Sequence, residues 1–159
     1  MCRFRSGVVT ALLLLSAPSI SPADIWSMYT NGNFVNSVAM QGDYLWCGTE
    51  GGVVRWNTYD MSYVKFTTRD GLKDNYVLKV TISPDGTVWA CSEEGVSFYR
   101  DGKWNILPLP KARYFEGATD IACGPDGAVW LARTDSVAVY RNNSLTSYSM
   151  YDIKKGSSD

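Results

Sequence analysis

The residue types in this chain restrict the chemistry that it can perform, above all because it contains no histidine. Without imidazole the chain cannot build a Ser-His-Asp or Cys-His nucleophile, or a zinc site that uses histidine ligands. Carboxylate pairs remain, and they cleave glycosides when held about 5 to 10 Å apart. The candidates are Glu50, Glu93, Glu94 and Glu116. Hairpin-turn glutamates are usually solvated, so we expect no catalytic residue, and a carboxylate-based lyase or hydrolase is the most distant alternative.

A mixture of cationic, aromatic and polar residues on two predicted loops is the best candidate for a ligand site. A cation beside aromatic rings can hold a carboxylate and stack on the face of a sugar. The candidate ligand-binding residues are Arg69, Lys73, Asn75, Lys111, Arg113, Tyr114, Phe115 and Glu116. The alternative is that Tyr114 and Phe115 fill a junction between repeat units while Lys111 and Arg113 stay solvated.

The cysteines give no indication of a metal site. Cys47, Cys91 and Cys123 follow the N-terminal segment, and their spacing matches no metal-binding signature, so we expect neither metal nor cofactor. One disulfide with a remaining thiol is one interpretation. We favour the other, in which all three are small buried residues within strands.

The N-terminal segment has the layout of a secretory signal peptide. Two arginines precede an apolar run over residues 8–15 that is too short to span a bilayer, and Ser21-Pro22-Ala23 supplies small residues before a cleavage point. We therefore predict a signal peptide over residues 1–23 and a periplasmic or extracellular location. A short buried strand or a retained anchor is the alternative.

Composition excludes two classes of partner. The formal net charge is −1, with 15 basic and 16 acidic residues, so nothing resembles a basic nucleic-acid surface. No later segment is apolar enough to cross a membrane. The remaining partners are a carbohydrate or other small ligand, a protein, or another copy of this chain.

A repeat of about 40 residues organises the chain. Its anchors are Trp46, Trp89 and Trp130, and each follows a tight turn, such as Pro84-Asp85-Gly86 or Pro125-Asp126-Gly127. Such turns have a mechanism, because proline sets φ and glycine accepts positive φ, and they account for both aspartates. A second ring follows each tryptophan at a constant distance in the sequence. Turn residues then separate four strands per unit, which is typical of a β-propeller blade.

The predicted fold class is therefore all-β, a propeller of four-stranded antiparallel blades with about three blades present. Within a propeller segment over residues 24–159, we predict a leading strand at 24–30, blades at about 34–67, 76–107 and 118–148, and the start of another blade at 150–159. Known propellers have at least about four blades. Either the chain is the N-terminal part of a longer protein, which we favour, or copies associate through open blade edges.

The repeat resembles the two-component regulator propeller repeat. The resemblance rests on the segment Asp70 to Val77, on Asp85-Gly86-Thr87-Val88-Trp89 and on Glu94-Gly95-Val96, and it extends over nearly all of the mature chain. The third unit is the weakest, with Arg133 where Thr or Ser is usual and Ser136 where glycine is usual. Members of that family form extracytoplasmic propellers of membrane-bound sensor kinases that often sense glycans.

The resemblance therefore implies an extracytoplasmic ligand-binding or sensing module in signal transduction, with a glycan as its ligand. The alternative function is a protein-interaction scaffold that binds no small molecule.

Overall fold

The computed structural model describes residues 34–111 and 116–149. The predicted signal peptide, the leading strand at 24–30 and the segment 150–159 lie outside these described residues. The strands are β1 (Val35–Gln41), β2 (Tyr44–Thr49), β3 (Gly52–Asn57), β4 (Tyr63–Phe66), β5 (Lys79–Ile82), β6 (Val88–Cys91), β7 (Val96–Arg100), β8 (Lys103–Leu107), β9 (Asp120–Cys123), β10 (Val129–Ala132), β11 (Ser136–Arg141) and β12 (Ser144–Ser149), with a 3-10 turn at Thr68–Asp70.

These strands form three four-stranded antiparallel sheets, each a simple meander of consecutive strands. We call them blade 1 (β1–β4), blade 2 (β5–β8) and blade 3 (β9–β12). The predicted all-β fold of four-stranded antiparallel blades is confirmed. No helix in the described ranges is long and apolar enough to cross a bilayer.

The blades lie side by side with blade 2 in the middle, because its first strand, β5, contacts both β1 and β9. Each meander places its turns at two opposite ends. The turns between first and second strands and between third and fourth strands lie at one end, which we call the hairpin end. The turns between second and third strands, with the connections from blade to blade, lie at the other, which we call the loop end.

Aromatic rings fill the interface between blades 1 and 2. Trp46 on β2 is 1% exposed, and its ring centroid lies 5.2 Å from that of Tyr99 and 6.2 Å from that of Trp104, both in blade 2. The Trp46 Nε1–H group donates a hydrogen bond to Gln41 Oε1 at 3.0 Å, so the polar edge of the indole is satisfied. The anchor tryptophan of blade 1 therefore belongs to the core shared with the next blade.

The interface between blades 2 and 3 repeats this arrangement. Trp89 is 2% exposed, its ring centroid lies 5.7 Å from that of Tyr140 in blade 3, and its Nε1–H group donates to Ser83 Oγ at 3.1 Å. Tyr99 and Tyr140 are the rings that follow the repeat tryptophans in sequence. The structure thus shows that a tryptophan pairs with the following ring of the next unit rather than of its own.

The three cysteines lie in strands as free thiols. Cys47 and Cys91 are buried, as in the interpretation that we favoured, whereas Cys123 is only partly buried. Cys91 is the most deeply buried, and burial raises the pKa of its thiol to about 12. At neutral pH this thiol is therefore protonated and acts as a small core residue rather than a nucleophile.

Candidate functional site

The first predicted site loop, between β4 and β5, is held by its own side chains. The Thr67 N–H group donates to Asp70 Oδ2 at 2.8 Å in a capping box, and the Thr68 N–H group donates to Asn75 Oδ1 at 2.9 Å. The Asn75 amide oxygen is therefore part of the loop structure. Arg69 is exposed at the tip of this loop.

Lys73, in the same loop, lies against blade 2. Its backbone N–H group donates to Ser97 Oγ at 2.9 Å, and a Cβ atom at Gly95 would lie only 2.3 Å from Lys73 Cγ. The Lys73 side chain therefore crosses the turn between β6 and β7, which runs from Ser92 to Gly95. Glycine at position 95 leaves the space that this crossing needs.

The second predicted site loop, between β8 and β9, meets the same turn from the other side. The Gly117 N–H group donates to Glu93 O at 2.7 Å and the Ala118 N–H group to Ser92 O at 2.9 Å. The structure thus brings Lys73 and Glu116, the exposed neighbour of Gly117, to one turn of the loop end. Lys111 is exposed, whereas Arg113, Tyr114 and Phe115 lie outside the described residues.

Arg133 holds the ends of this second loop, a role that the sequence did not indicate. Its side chain is 9% exposed, and Nη2 donates to Pro110 O at 2.8 Å and to Glu116 O at 3.4 Å. Thr49 and Ser92 occupy the equivalent positions of blades 1 and 2, where their hydroxyls bond within their own turns. At this position the third unit therefore departs from the family pattern for a structural reason, because Arg133 bonds to the ends of the β8–β9 loop instead of to its own turn.

At the hairpin end, a cleft of about 310 Å³ opens between blades 1 and 2. We call it the blade 1–2 cleft. Its polar and aromatic lining includes Gln41, Tyr44, Arg55, Thr87, Arg100 and Asp101. No residue of the predicted site lines it, so the sequence did not identify this cleft.

Arg55 is the distinctive cation of the blade 1–2 cleft. Its guanidinium carbon lies 5.0 Å from the Tyr44 ring centroid and 5.6 Å from that of Trp46. No ion pair joins Arg55 to a carboxylate in the described part of the chain. Stacking on rings orients the guanidinium plane while its N–H groups keep their capacity to bind an oxygen ligand.

The second arginine of the cleft is already neutralised. Arg100 Nη2 lies 2.8 Å from Asp85 Oδ2, and Arg100 Nε donates to Thr87 Oγ1 at 3.0 Å. Blade 3 repeats the ion pair with Arg141 and Asp126. Turn chemistry alone could explain Asp85 and Asp126. Their ion pairs show that they also connect the first hairpin of a blade to its third strand.

Hydrogen bonding lowers the pKa of Asp85. The largest cause is the bond from Ser83 Oγ at 2.5 Å, and the Thr87 backbone N–H, the Thr87 hydroxyl and the charge of Arg100 add to it against partial desolvation. A depressed folded-state pKa contributes stability that is present above the unfolded-state pKa and is lost as the pH falls through the folded-state value.

We therefore expect Asp85→Asn to lower the free energy of unfolding by about 1 kcal/mol at pH 7, a discounted value because the pair is half exposed. The difference from wild type should shrink as the pH falls below about 4. Urea unfolding at several pH values measures it. Asp43→Asn, in the corresponding turn of blade 1, is the control because its side chain makes none of these bonds. A difference for Asp85→Asn that stays constant down to low pH would contradict the assignment.

Two further observations concern catalysis and metals. Glu93 and Glu94 are exposed at the tip of the β6–β7 turn. Within residues 34–111 and 116–149, no group of three or more His, Cys, Asp or Glu side chains is placed to hold a metal ion.

Comparison with known proteins gives matches among solved structures only. No family model and no curated protein matches the chain. The extracellular domain of BT4673 from B. thetaiotaomicron, described as part of a one-component system, superposes with a TM-score of 0.63 at 22% identity over 72% of this chain and 16% of that one. The extracellular domain of BT3049 from the same organism, described as a hybrid two-component system, gives 0.61 at 22% identity over 73% and 17%.

These matches confirm the recognition at the level of the fold. The chain shares its architecture with extracellular domains of sensor systems, as the resemblance to the two-component regulator propeller repeat predicted. It spans about a sixth of the length of either matched chain. The ligands and signalling roles of those proteins therefore cannot be transferred to this chain as findings.

Proposed function

We propose that this chain is an extracytoplasmic ligand-binding module whose ligand is a glycan with an acidic sugar, bound in the blade 1–2 cleft. The observation that carries the proposal is the Arg55 guanidinium, stacked on Tyr44 at an open cleft and paired with no carboxylate in the described ranges. An acidic sugar supplies both the carboxylate that a guanidinium binds in two-point fashion and an apolar ring face.

The other residues of the cleft suit the remainder of such a ligand. Gln41 and Thr87 carry neutral polar groups, and Asp101 is an exposed carboxylate at the rim, so each can bond to sugar hydroxyls. Because Asp85 neutralises its charge, Arg100 contributes hydrogen-bond donors and surface to the cleft but no net positive charge. A cleft of about 310 Å³ is at the lower end of the usual range for small-ligand sites, which suits one or two sugar units.

The extracytoplasmic location rests on the N-terminal sequence pattern and on the fold shared with extracellular domains. Occupancy of the cleft would bridge blades 1 and 2, because Tyr44 and Arg55 come from one and Thr87 and Arg100 from the other. Binding would therefore stabilise that interface. A sensing role requires such a coupling between ligand and blade packing.

The test is isothermal titration calorimetry of the chain with tetragalacturonate, and with maltotetraose as the neutral probe. Arg55→Gln should weaken tetragalacturonate binding about tenfold or more, because a charge-assisted bond is lost. Arg69→Gln is the matched control, since Arg69 is an exposed arginine at the opposite end of the sheets and belongs to the site predicted from sequence.

The outcomes separate the cleft from the loop end and from the alternative function. Loss of binding in Arg69→Gln with normal binding in Arg55→Gln would move the site to the loop end. Equal binding of both probes would remove the acidic sugar from the proposal. Absence of binding to either probe by the folded chain would favour a protein-interaction scaffold over a glycan-binding module.

A further inference from the structure

A second cleft opens at the hairpin end, between blades 2 and 3, with a volume of about 240 Å³. We call it the blade 2–3 cleft. Asp85 and Arg100 line both this cleft and the blade 1–2 cleft. The two clefts are therefore neighbours, and the ion pair between Asp85 and Arg100 is their common wall.

The two clefts have the same construction. Each is lined by the repeat tryptophan of one blade, Trp46 or Trp89, and by the turn between the third and fourth strands of the next blade, at Asp101 or Asn142. They are therefore equivalent sites on successive blade interfaces. Packed sheets lie about 10 Å apart, so a ligand that occupies both clefts is an oligosaccharide rather than a single sugar.

The blade 2–3 cleft differs from its neighbour in charge. The position of Arg55, which pairs with Trp46 across the strands, is taken in blade 2 by Phe98, which pairs with Trp89. The charged side chains that line the blade 2–3 cleft form two ion pairs, Arg100 with Asp85 and Arg141 with Asp126. Its lining residues therefore offer no unpaired cation to a carboxylate.

Neutral hydrogen-bonding groups take the place of that cation. Asn142 and Asn143 form the β11–β12 turn with φ at +50° and +60°, a conformation that asparagine accepts more readily than most residues. The Tyr140 hydroxyl donates to Asn143 Oδ1 at 2.9 Å. Among the described residues, neither the Asn142 amide nor Asn143 Nδ2 makes a hydrogen bond, so both can bond to sugar hydroxyls.

We propose that the blade 2–3 cleft is a subsite for neutral sugar units and continues the blade 1–2 cleft. The ligand is then an oligosaccharide with an acidic sugar at Arg55 and neutral units beyond the common wall. This inference rests on the proposed function, because Arg55 holds the acidic sugar. A second carboxylate in the blade 2–3 cleft would lose water without gaining an unpaired cation, which is unfavourable.

The common wall can itself contact the sugar chain that crosses it. Arg100 Nε bonds to Thr87 Oγ1 and Arg100 Nη2 to Asp85 Oδ2. A guanidinium has five N–H donors, so further donors remain for sugar oxygens on either side. The ion pair fixes the position of these donors, which lowers the conformational entropy that binding has to remove.

The first measurement is calorimetric titration of the chain with two probes. Methyl glucuronide is an acidic sugar alone, whereas glucuronosyl-xylotriose joins such a sugar to neutral xylose units. We expect glucuronosyl-xylotriose to bind about tenfold or more tightly, because its neutral units add hydrogen bonds in the blade 2–3 cleft.

The decisive variant carries Asn142→Gly and Asn143→Gly together, since glycine keeps the positive φ of the turn but removes both amides. It should weaken glucuronosyl-xylotriose binding about fivefold to tenfold and leave methyl glucuronide binding unchanged. Arg55→Gln should weaken both. Asn105→Ala is the matched control, because Asn105 is an exposed asparagine that lines neither cleft. Thermal unfolding followed by circular dichroism establishes that each variant is folded.

The outcomes separate this inference from the proposed function. Equal affinity for the two probes, or normal glucuronosyl-xylotriose binding by the folded double variant, would overturn the subsite and leave the Arg55 site standing. Tighter binding of tetragalacturonate than of glucuronosyl-xylotriose, with the same dependence on Asn142 and Asn143, would show that the subsite takes acidic units instead. Absence of binding to every acidic probe, or binding that is indifferent to Arg55→Gln, would overturn the proposed function and this inference with it.

Discussion

Trp89→Ala is expected to lower the free energy of unfolding by about 3 to 5 kcal/mol, whereas Trp130→Ala should lower it by less than about 1 kcal/mol. The two residues stand at the same position of successive repeats. Trp89 packs against Tyr140 in blade 3 and against Phe98 in its own blade, and its removal leaves a cavity between two sheets. Among the described residues no aromatic ring packs against Trp130, which is 41% exposed.

The loss at Trp89 has a polar part as well. Ser83 Oγ accepts the indole N–H bond and lies in a buried residue, so alanine at position 89 removes one of the hydrogen bonds of this hydroxyl. Since small domains are stable by only about 5 to 15 kcal/mol, Trp89→Ala removes a large fraction of the total.

Urea unfolding followed by far-ultraviolet circular dichroism measures both variants. Trp46→Ala serves as a second buried comparison, because Trp46 contacts Tyr99 and Trp104 in the next blade. Equal destabilisation by Trp89→Ala and Trp130→Ala would contradict the difference in burial between these two residues. Near-neutral Trp89→Ala would contradict the interface between blades 2 and 3.

The repeat made the architecture predictable from sequence, but not the exposure of its members. Trp46, Trp89 and Trp130 have the same local sequence pattern, so every sequence argument treats them alike. Burial depends on which side chains of other strands pack over each tryptophan, which is a property of tertiary packing rather than of the strand itself. The partner of each tryptophan was missed for the same reason, because Tyr99 and Tyr140 follow the tryptophans of their own units in sequence yet pack against those of the preceding blades.

The cleft that we propose as the ligand site was less predictable from sequence, and the reason is geometric. Loop residues such as Lys73 and Glu116 were predicted to bind a ligand because blade-to-blade loops open at one end of a propeller. Arg55 lies inside a strand, where alternation predicts one face or the other but not which neighbour it meets. Arg55 is accessible to a ligand because the interface between blades 1 and 2 is open at its hairpin end. The usable signal was its position next to the second ring, Trp56, where blades 2 and 3 carry Phe98 and Val139.

Gly52→Ala is the second substitution with a large expected effect, and we expect a loss of about 3 kcal/mol or more in the free energy of unfolding. Gly52 begins β3 with φ at +122°, a conformation that L residues rarely adopt. A Cβ atom there would lie 2.0 Å from the backbone oxygen of Phe66 in the neighbouring strand β4. Backbone cannot rotate away as a side chain can, so the two strands must separate.

Gly42→Ala is the matched control, because Gly42 also has positive φ, at +56°, but nothing lies within 4 Å of its Cβ position. It should cost only the backbone strain of the left-handed region, about 1 to 2 kcal/mol. Thermal unfolding of both variants beside wild type measures the difference. Equal losses would mean that strain alone governs both positions and that β3 and β4 do not approach as closely as the structure shows.

The effect at Gly52 should also reach the interface between blades 1 and 2. Phe66 stacks on Trp46 at 6.0 Å and lies 5.9 Å from Trp104 in blade 2, so displacement of the Phe66 backbone disturbs the aromatic cluster of both blades. Combined with Trp46→Ala, Gly52→Ala should therefore lower stability by less than the sum of the two single losses, because each change disrupts the same packing. Strict additivity would show that the turn and the interface are energetically independent.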